Sequence, residues 1–194
     1  MTPSLRIGVA DDEPLMLQFF EMALGQLGHE VVAQAATGRE LVEQTRKLRP
    51  DLVITDIKMP DMDGLQAVRQ IAAEQVIPVV LVSGYHDPQY IEAALSEHVL
   101  AYLVKPIKKE NLEPAISLVM RRFKEFQALQ QQADDLRHAL ESRKVIERAK
   151  GILMKRAGLK EQEAFRRLQA LSSQKNMKMA EIAEMIVTAE EALS

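Results

Sequence analysis

A chain of 194 residues, 47% of them apolar, can bury a core and suits one large domain or a medium domain joined to a small one. The absence of cysteine excludes a disulfide framework. No apolar run approaches the roughly 18 residues of a membrane span, and no basic-plus-apolar leader opens the chain, so a soluble, cytoplasmic protein is expected. The net charge of -3 hides an asymmetry: residues 1–121 carry 11 Lys and Arg against 17 Asp and Glu, whereas residues 143–178 carry 11 against 3. An acidic half joined to a basic half points to metal or phosphoryl chemistry in the first and an anionic partner for the second.

In chain order, Leu5–Ala10 is an apolar run that meets Asp11-Asp12-Glu13, a first strand with acids at its end. Pro14–Leu27 has helical spacing, stopped by Gly28. Glu30–Ala35 reads as a strand, Gly38–Leu48 as a helix, Leu52–Thr55 as a third strand running into Asp56, and Leu65–Ala73 as a helix. Val76–Val82 is an apolar strand ending at Ser83-Gly84, Pro88–Val99 a helix, and Leu100–Val104 a fifth strand ending in Lys105-Pro106. Strands alternating with helices of about ten residues predict an α/β fold, a doubly wound five-stranded parallel sheet with helices on both faces.

In such a sheet the strand ends share one edge, so Asp11, Asp12, Asp56, Ser83 and Lys105 are brought together. Taken singly, an acid at a loop start is a helix cap, and Lys-Pro or Ser-Gly is a turn. Together they make a site. Clustered carboxylates repel one another unless a cation joins them, and a hard, oxygen-preferring Mg²⁺ fits. A carboxylate attacks a phosphoryl group once a metal and an ammonium neutralise its oxygens. Lys105 supplies the ammonium and Ser83 a hydroxyl.

Residues 5–121 resemble the receiver domain of two-component response regulators, with the flavodoxin-like, CheY-like fold. The resemblance rests on Asp11-Asp12-Glu13, on Asp56 followed by Met59-Pro60 and Asp63-Gly64, on Ser83-Gly84 and on Lys105-Pro106. It implies a histidine kinase as phosphodonor and Asp56 as phosphoacceptor. It also implies Mg²⁺ held by Asp11, Asp12, Asp56 and the main-chain carbonyl of Lys58, a cis peptide before Pro106, and a switch formed by Ser83 and Tyr102.

Past Asn111, a candidate helix cap, and Pro114, placed in the first helical turn, a long helix is expected to about Arg156. Continuous from 109 to 156 it would measure about 70 Å. Phe126, Leu129, Ala133, Leu136 and Leu140 are spaced 3-4-3-4, a short coiled-coil seam. Pairing of two chains is preferred over packing on the protein's own receiver or tail. The expected division is a receiver over 1–121, a connector over 122–142 and an output domain over 143–194.

Three helical segments close the chain: Arg143–Arg156, stopped by Gly158, then Glu161–Leu171 and Met179–Ala192. The last carries Glu181, Glu184, Glu190 and Glu191, a poor fit to a DNA major groove. The basic residues Arg143, Lys144, Arg148, Lys150, Lys155, Arg156, Arg166 and Arg167 lie on the first two helices, as candidates for phosphate contact. Gly151 costs its helix about 1 kcal/mol relative to alanine, so a packing or binding reason is expected. The one tail aromatic, Phe165, could stack a nucleobase, but its place among Ala164 and Leu168 assigns it to the core.

From about residue 132, Arg143-Lys-Val-Ile-Glu-Arg-Ala-Lys-Gly-Ile-Leu-Met154, Glu163-Ala-Phe165, Leu168 and Ile182-Ala183 resemble the ANTAR output domain of transcription antitermination regulators. The resemblance implies a three-helix bundle that binds tandem hairpins of nascent RNA, which agrees with a homodimer. The expected protein is a phosphorylation-dependent RNA-binding antiterminator and not an enzyme. A DNA-binding regulator and a tail that binds only protein are the alternatives.

Overall fold

The computed structural model describes residues 3–84 and 99–192. Five strands, β1 (Arg6–Ala10), β2 (Glu30–Ala35), β3 (Leu52–Asp56), β4 (Val79–Ser83) and β5 (Val99–Val104), form one parallel sheet in the order β2-β1-β3-β4-β5. Helices α1 (Pro14–Gln26), α2 (Gly38–Leu48) and α3 (Gly64–Glu74) connect the first four strands. The helix expected over Pro88–Val99 falls on residues outside those described, apart from Val99, which opens β5.

The strands are largely apolar because both sheet faces are covered, and alternate residues enter two different cores. Leu52 and Ile54 of β3 with Val80 and Val82 of β4 pack with Phe20 and Leu24 of α1. Val53, Val79 and Leu81, pointing the other way, pack with Leu41 of α2 and with Leu65, Val68 and Ile71 of α3. The order of β1 and β3 reverses the chain's course across the sheet, and such a switch point opens a crevice beyond the strands' C-terminal ends.

β4 begins at Val79, later than the apolar run suggests. Pro78 has no N–H for the ladder, although its carbonyl still accepts a hydrogen bond from Val53 N at 3.1 Å. Helix α4 is continuous over Lys109–Ala157, 49 residues. It starts before Asn111, whose Oδ1 reaches back to accept from Lys108 N at 3.0 Å, so Asn111 caps from inside the helix. Pro114 therefore lies beyond the first turn; it is exposed. Leu112, Ile116 and Val119 of α4 complete the core that contains Phe20.

The chain divides into two compact units, Met1–Phe126 and Gln127–Ser194. In the second, the C-terminal part of α4 packs with α5 (Glu161–Lys175) and α6 (Met179–Glu191) around Ala149, Leu168, Ile182, Ala183 and Val187. Gly158, at φ +64°, takes the left-handed conformation that ends α4. α5 runs four residues past Leu171 and stops at Asn176, also left-handed. Among the described residues no helix is long and apolar enough to cross a membrane.

Candidate functional site

The β3–α3 loop is built around a close backbone approach. Gly64 N donates to Ile57 O at 2.8 Å, and a Cβ on Gly64 would lie 1.9 Å from Asp56 O, so no side chain fits there. Asp63 caps α3: its Oδ1 accepts from Gln66 N at 2.7 Å, while the Gln66 side chain reciprocates. Strand pairing sets Ala10 beside Thr55, Asp56 beside Val82 and Ser83 beside Val104, so the residues beyond these ends share one edge.

At that edge Lys105 Nζ lies 2.8 Å from Asp56 Oδ2 and 2.8 Å from Asp11 Oδ2, with Glu13 Oε1 at 3.3 Å. The other oxygen of each aspartate is pinned by the following loop. Asp11 Oδ1 accepts from Glu13 N at 3.0 Å, and Asp56 Oδ1 from Ile57 N at 2.6 Å. Both carboxylates are thus oriented from two sides. Burial pushes the Asp11 carboxyl above the ordinary range, although Lys105 and the Glu13 N–H pull it down. Burial would lower the Lys105 ammonium, but its bonds to Asp11 and Asp56 prevail and hold it well above the usual lysine value.

Asp11, Asp12 and Asp56 each place an oxygen within 4.8 Å of the others, with Asp12 exposed and the other two buried. Three carboxylates facing one ammonium leave negative charge in excess, and an all-oxygen donor set open to solvent on one side suits a hard, partly hydrated cation such as Mg²⁺. The Lys105–Pro106 peptide is cis. Ser83 is buried at the end of β4, and its carbonyl accepts from Lys105 N at 2.9 Å. Tyr102 is half-buried on β5 against the core that contains Leu81.

The seam residues divide. Phe126 is half-buried and lines an apolar cavity with Val76, Ile77, Leu100 and Phe123. Leu129, Ala133, Leu136 and Leu140 are exposed, Leu136 by 66%.

The basic residues of the second unit also divide. Arg143, Lys144, Arg148, Lys155, Arg156, Arg166 and Arg167 are exposed. Lys150 is instead buried, with Nζ 2.9 Å from both oxygens of Glu147 and 2.8 Å from Glu161 Oε1. It ties the start of α5 to α4. Arg148 pairs with Glu191 at 2.8 Å, and Arg156 Nε donates to both oxygens of Glu190 at 3.0 Å. Sequence reasoning missed these acidic partners. Only Glu147, one helical turn before Lys150, carried a local signal. Phe165 is 42% exposed, contrary to the core assignment, and lines an open groove with Lys150, Glu161, Gln162 and Arg166.

Comparison with known proteins matches residues 7–117 to the response regulator receiver domain and residues 134–187 to the ANTAR domain. The transcriptional regulatory protein PdtaR of Mycobacterium tuberculosis is 37% identical over 182 residues, covering 94% of this chain and 89% of its own. A response regulator receiver domain protein of Clostridium thermocellum is 31% identical with a TM-score of 0.57, covering 62% of this chain and 98% of that one. The chemotaxis protein CheY4 of Vibrio cholerae is 26% identical, also with a TM-score of 0.57, covering 60% and 98%.

Proposed function

This chain belongs to the two-component response regulators that join a receiver domain to an ANTAR domain, and we propose that it is a cytoplasmic, phosphorylation-dependent RNA-binding transcription antiterminator. Receiver domains pair with sensor histidine kinases and generally bind Mg²⁺ at their acidic site, and ANTAR domains bind RNA. The family is one of regulators rather than enzymes. The observation that carries the reading is the placement of Asp56, buried at the sheet edge with Lys105 Nζ 2.8 Å from Oδ2.

In the proposed reaction a carboxylate oxygen of Asp56 attacks the phosphorus of a kinase phosphohistidine. The P–N bond breaks, the imidazole leaves with its electron pair and is protonated, and an acyl phosphate remains on Asp56. Lys105 neutralises a phosphoryl oxygen as charge develops. Asp11, Asp12, Asp56 and the main-chain carbonyl of Lys58 are the groups that would hold Mg²⁺, which supplies further positive charge to the phosphoryl oxygens. The Ser83 hydroxyl donates to the phosphoryl group, and Tyr102 follows it toward the core. The change biases β5 and the α4 that follows it.

The proposed relay is dimerisation along Leu129, Ala133, Leu136 and Leu140, which gives two ANTAR domains for two RNA hairpins. In each, Arg143, Lys144, Arg148, Lys155, Arg156, Arg166 and Arg167 are the phosphate contacts. Phe165, exposed beside Arg166, is placed to stack a loop base. Lys150 acts by holding α5 in position.

The test is a gel shift of the purified chain against a two-hairpin leader RNA and a duplex DNA of equal length. It is run with and without acetyl phosphate and Mg²⁺, with light scattering on the same samples. RNA binding that tightens on phosphorylation and loses that gain in Asp56→Ala is the expected result. Preference for the duplex, or no response to phosphorylation, overturns the proposal.

A further inference from the structure

Gly151 stands inside α4, six residues before its end, where glycine weakens a helix and no turn or cap requires one. Packing does not require one either: a Cβ built on Gly151 meets nothing within 4 Å. The neighbouring Ala149 and Ile152 face the bundle core, and Gly151 faces out. On the same side, one and two turns away, lie Lys144, Glu147, Arg148, Met154 and Lys155, every one exposed. Among the described residues Lys144 and Lys155 make no ion pair. Arg148 pairs with the exposed Glu191, and the carboxylate of Glu147 is turned to Lys150. The result is a strip of bare main chain bordered by three cations, with the half-open thioether of Met154 beside it.

We infer that this face of α4, centred on Gly151 with Lys144, Arg148 and Lys155 around it, is the surface on which the sugar–phosphate backbone of an RNA hairpin lies in closest contact with the protein. Without a Cβ the ribose and phosphate come nearer the helix by about the width of a methyl group. The three exposed side chains then reach phosphates on either side. The surplus of positive charge selects a polyanion over the apolar face of another helix, and Met154 offers an apolar rest for a ribose.

The inference rests on the RNA-binding reading and is separated from it by a substitution whose structural effect runs the other way. In the full chain, Gly151→Ala should raise the melting temperature by a few degrees, because it removes the helix penalty and strikes no neighbour. It should also weaken binding to the two-hairpin RNA by about tenfold or more. Gly25→Ala on α1, where a Cβ likewise meets nothing within 4 Å, is the control: it should stabilise without changing RNA affinity. A wild-type chain that binds no RNA defeats the RNA-binding reading itself. Wild-type binding that Gly151→Ala leaves intact overturns this inference alone. A fall in melting temperature, or loss of RNA binding together with a changed mass in light scattering, also overturns it, since the glycine would then serve packing or a protein contact.

Discussion

Two lysines in this chain each hold two carboxylates at 2.8–2.9 Å, and the surroundings of those acids separate them. Lys105 faces Asp11 and Asp56, whose side chains are 0% and 10% exposed, so all three charges sit in a medium that strengthens every interaction among them. Lys150 is comparably shielded, its side chain 9% exposed, but Glu147 and Glu161 are 56% and 68% exposed and can turn to water. The first cluster holds charges that cannot escape one another, ready to be rebalanced by a cation or a phosphoryl group. The second is a fastening between helices. Equal distances thus carry different energies, and the exposure of the partners decides which.

The largest effect expected from this contrast is chemical. Asp56→Asn should abolish labelling by acetyl phosphate, whereas Glu161→Gln should leave it unchanged; labelling that survives Asp56→Asn breaks the assignment of reactivity to the buried cluster. Next comes stability in Mg²⁺-free buffer. Lys105→Met strands two buried aspartates and should cost the receiver about 3 kcal/mol, part of which added Mg²⁺ restores. All three tyrosines lie between residues 85 and 102 and there is no tryptophan, so tyrosine fluorescence during urea unfolding reports the receiver alone. Lys150→Met, by contrast, should cost the second unit markedly less by circular dichroism, because its acids rehydrate. A loss as large as that of Lys105→Met would erase the distinction.

The smallest effect is a titration. The bond from Lys150 holds the Glu161 carboxyl below its usual value near 4.5. A depressed folded value stabilises fully above that pH and is lost as pH falls through the folded value, so the pair loosens only in acid. Carboxyl NMR shifts should show Glu161 titrating low in the wild type and normally in Lys150→Met. A normal titration in the wild type would mean the pair is absent in solution.

The receiver unit was legible because its strands are short, largely apolar and, all but β2, ended by chemistry. Four of the five strand termini named a candidate site residue, from Asp11 to Lys105, and a parallel sheet leaves those termini only one edge to share. The second unit was less legible because a helix face is read by angle. Ala164 and Leu168, four residues apart, do form the buried line, but Phe165 lies about 100° around the helix from Ala164 and so emerges into solvent. Lys150 was hidden in another way: one of its acidic partners, Glu161, lies beyond the turn at Gly158, and spacing along one helix cannot report a partner on the next. The start of β4 was set by what Pro78 lacks, which a hydropathy pattern does not register.

The pairs of Arg148 with Glu191 and of Arg156 with Glu190 bear on ionic strength. In the proposed complex these arginines would meet the RNA while already paired with the protein's own last helix. Each phosphate that these arginines accept would evict a carboxylate, so the broken ion pair would offset part of the electrostatic gain. The affinity should therefore fall with salt less steeply than the number of basic side chains suggests, with Arg143, Lys144, Lys155, Arg166 and Arg167 supplying most of the slope.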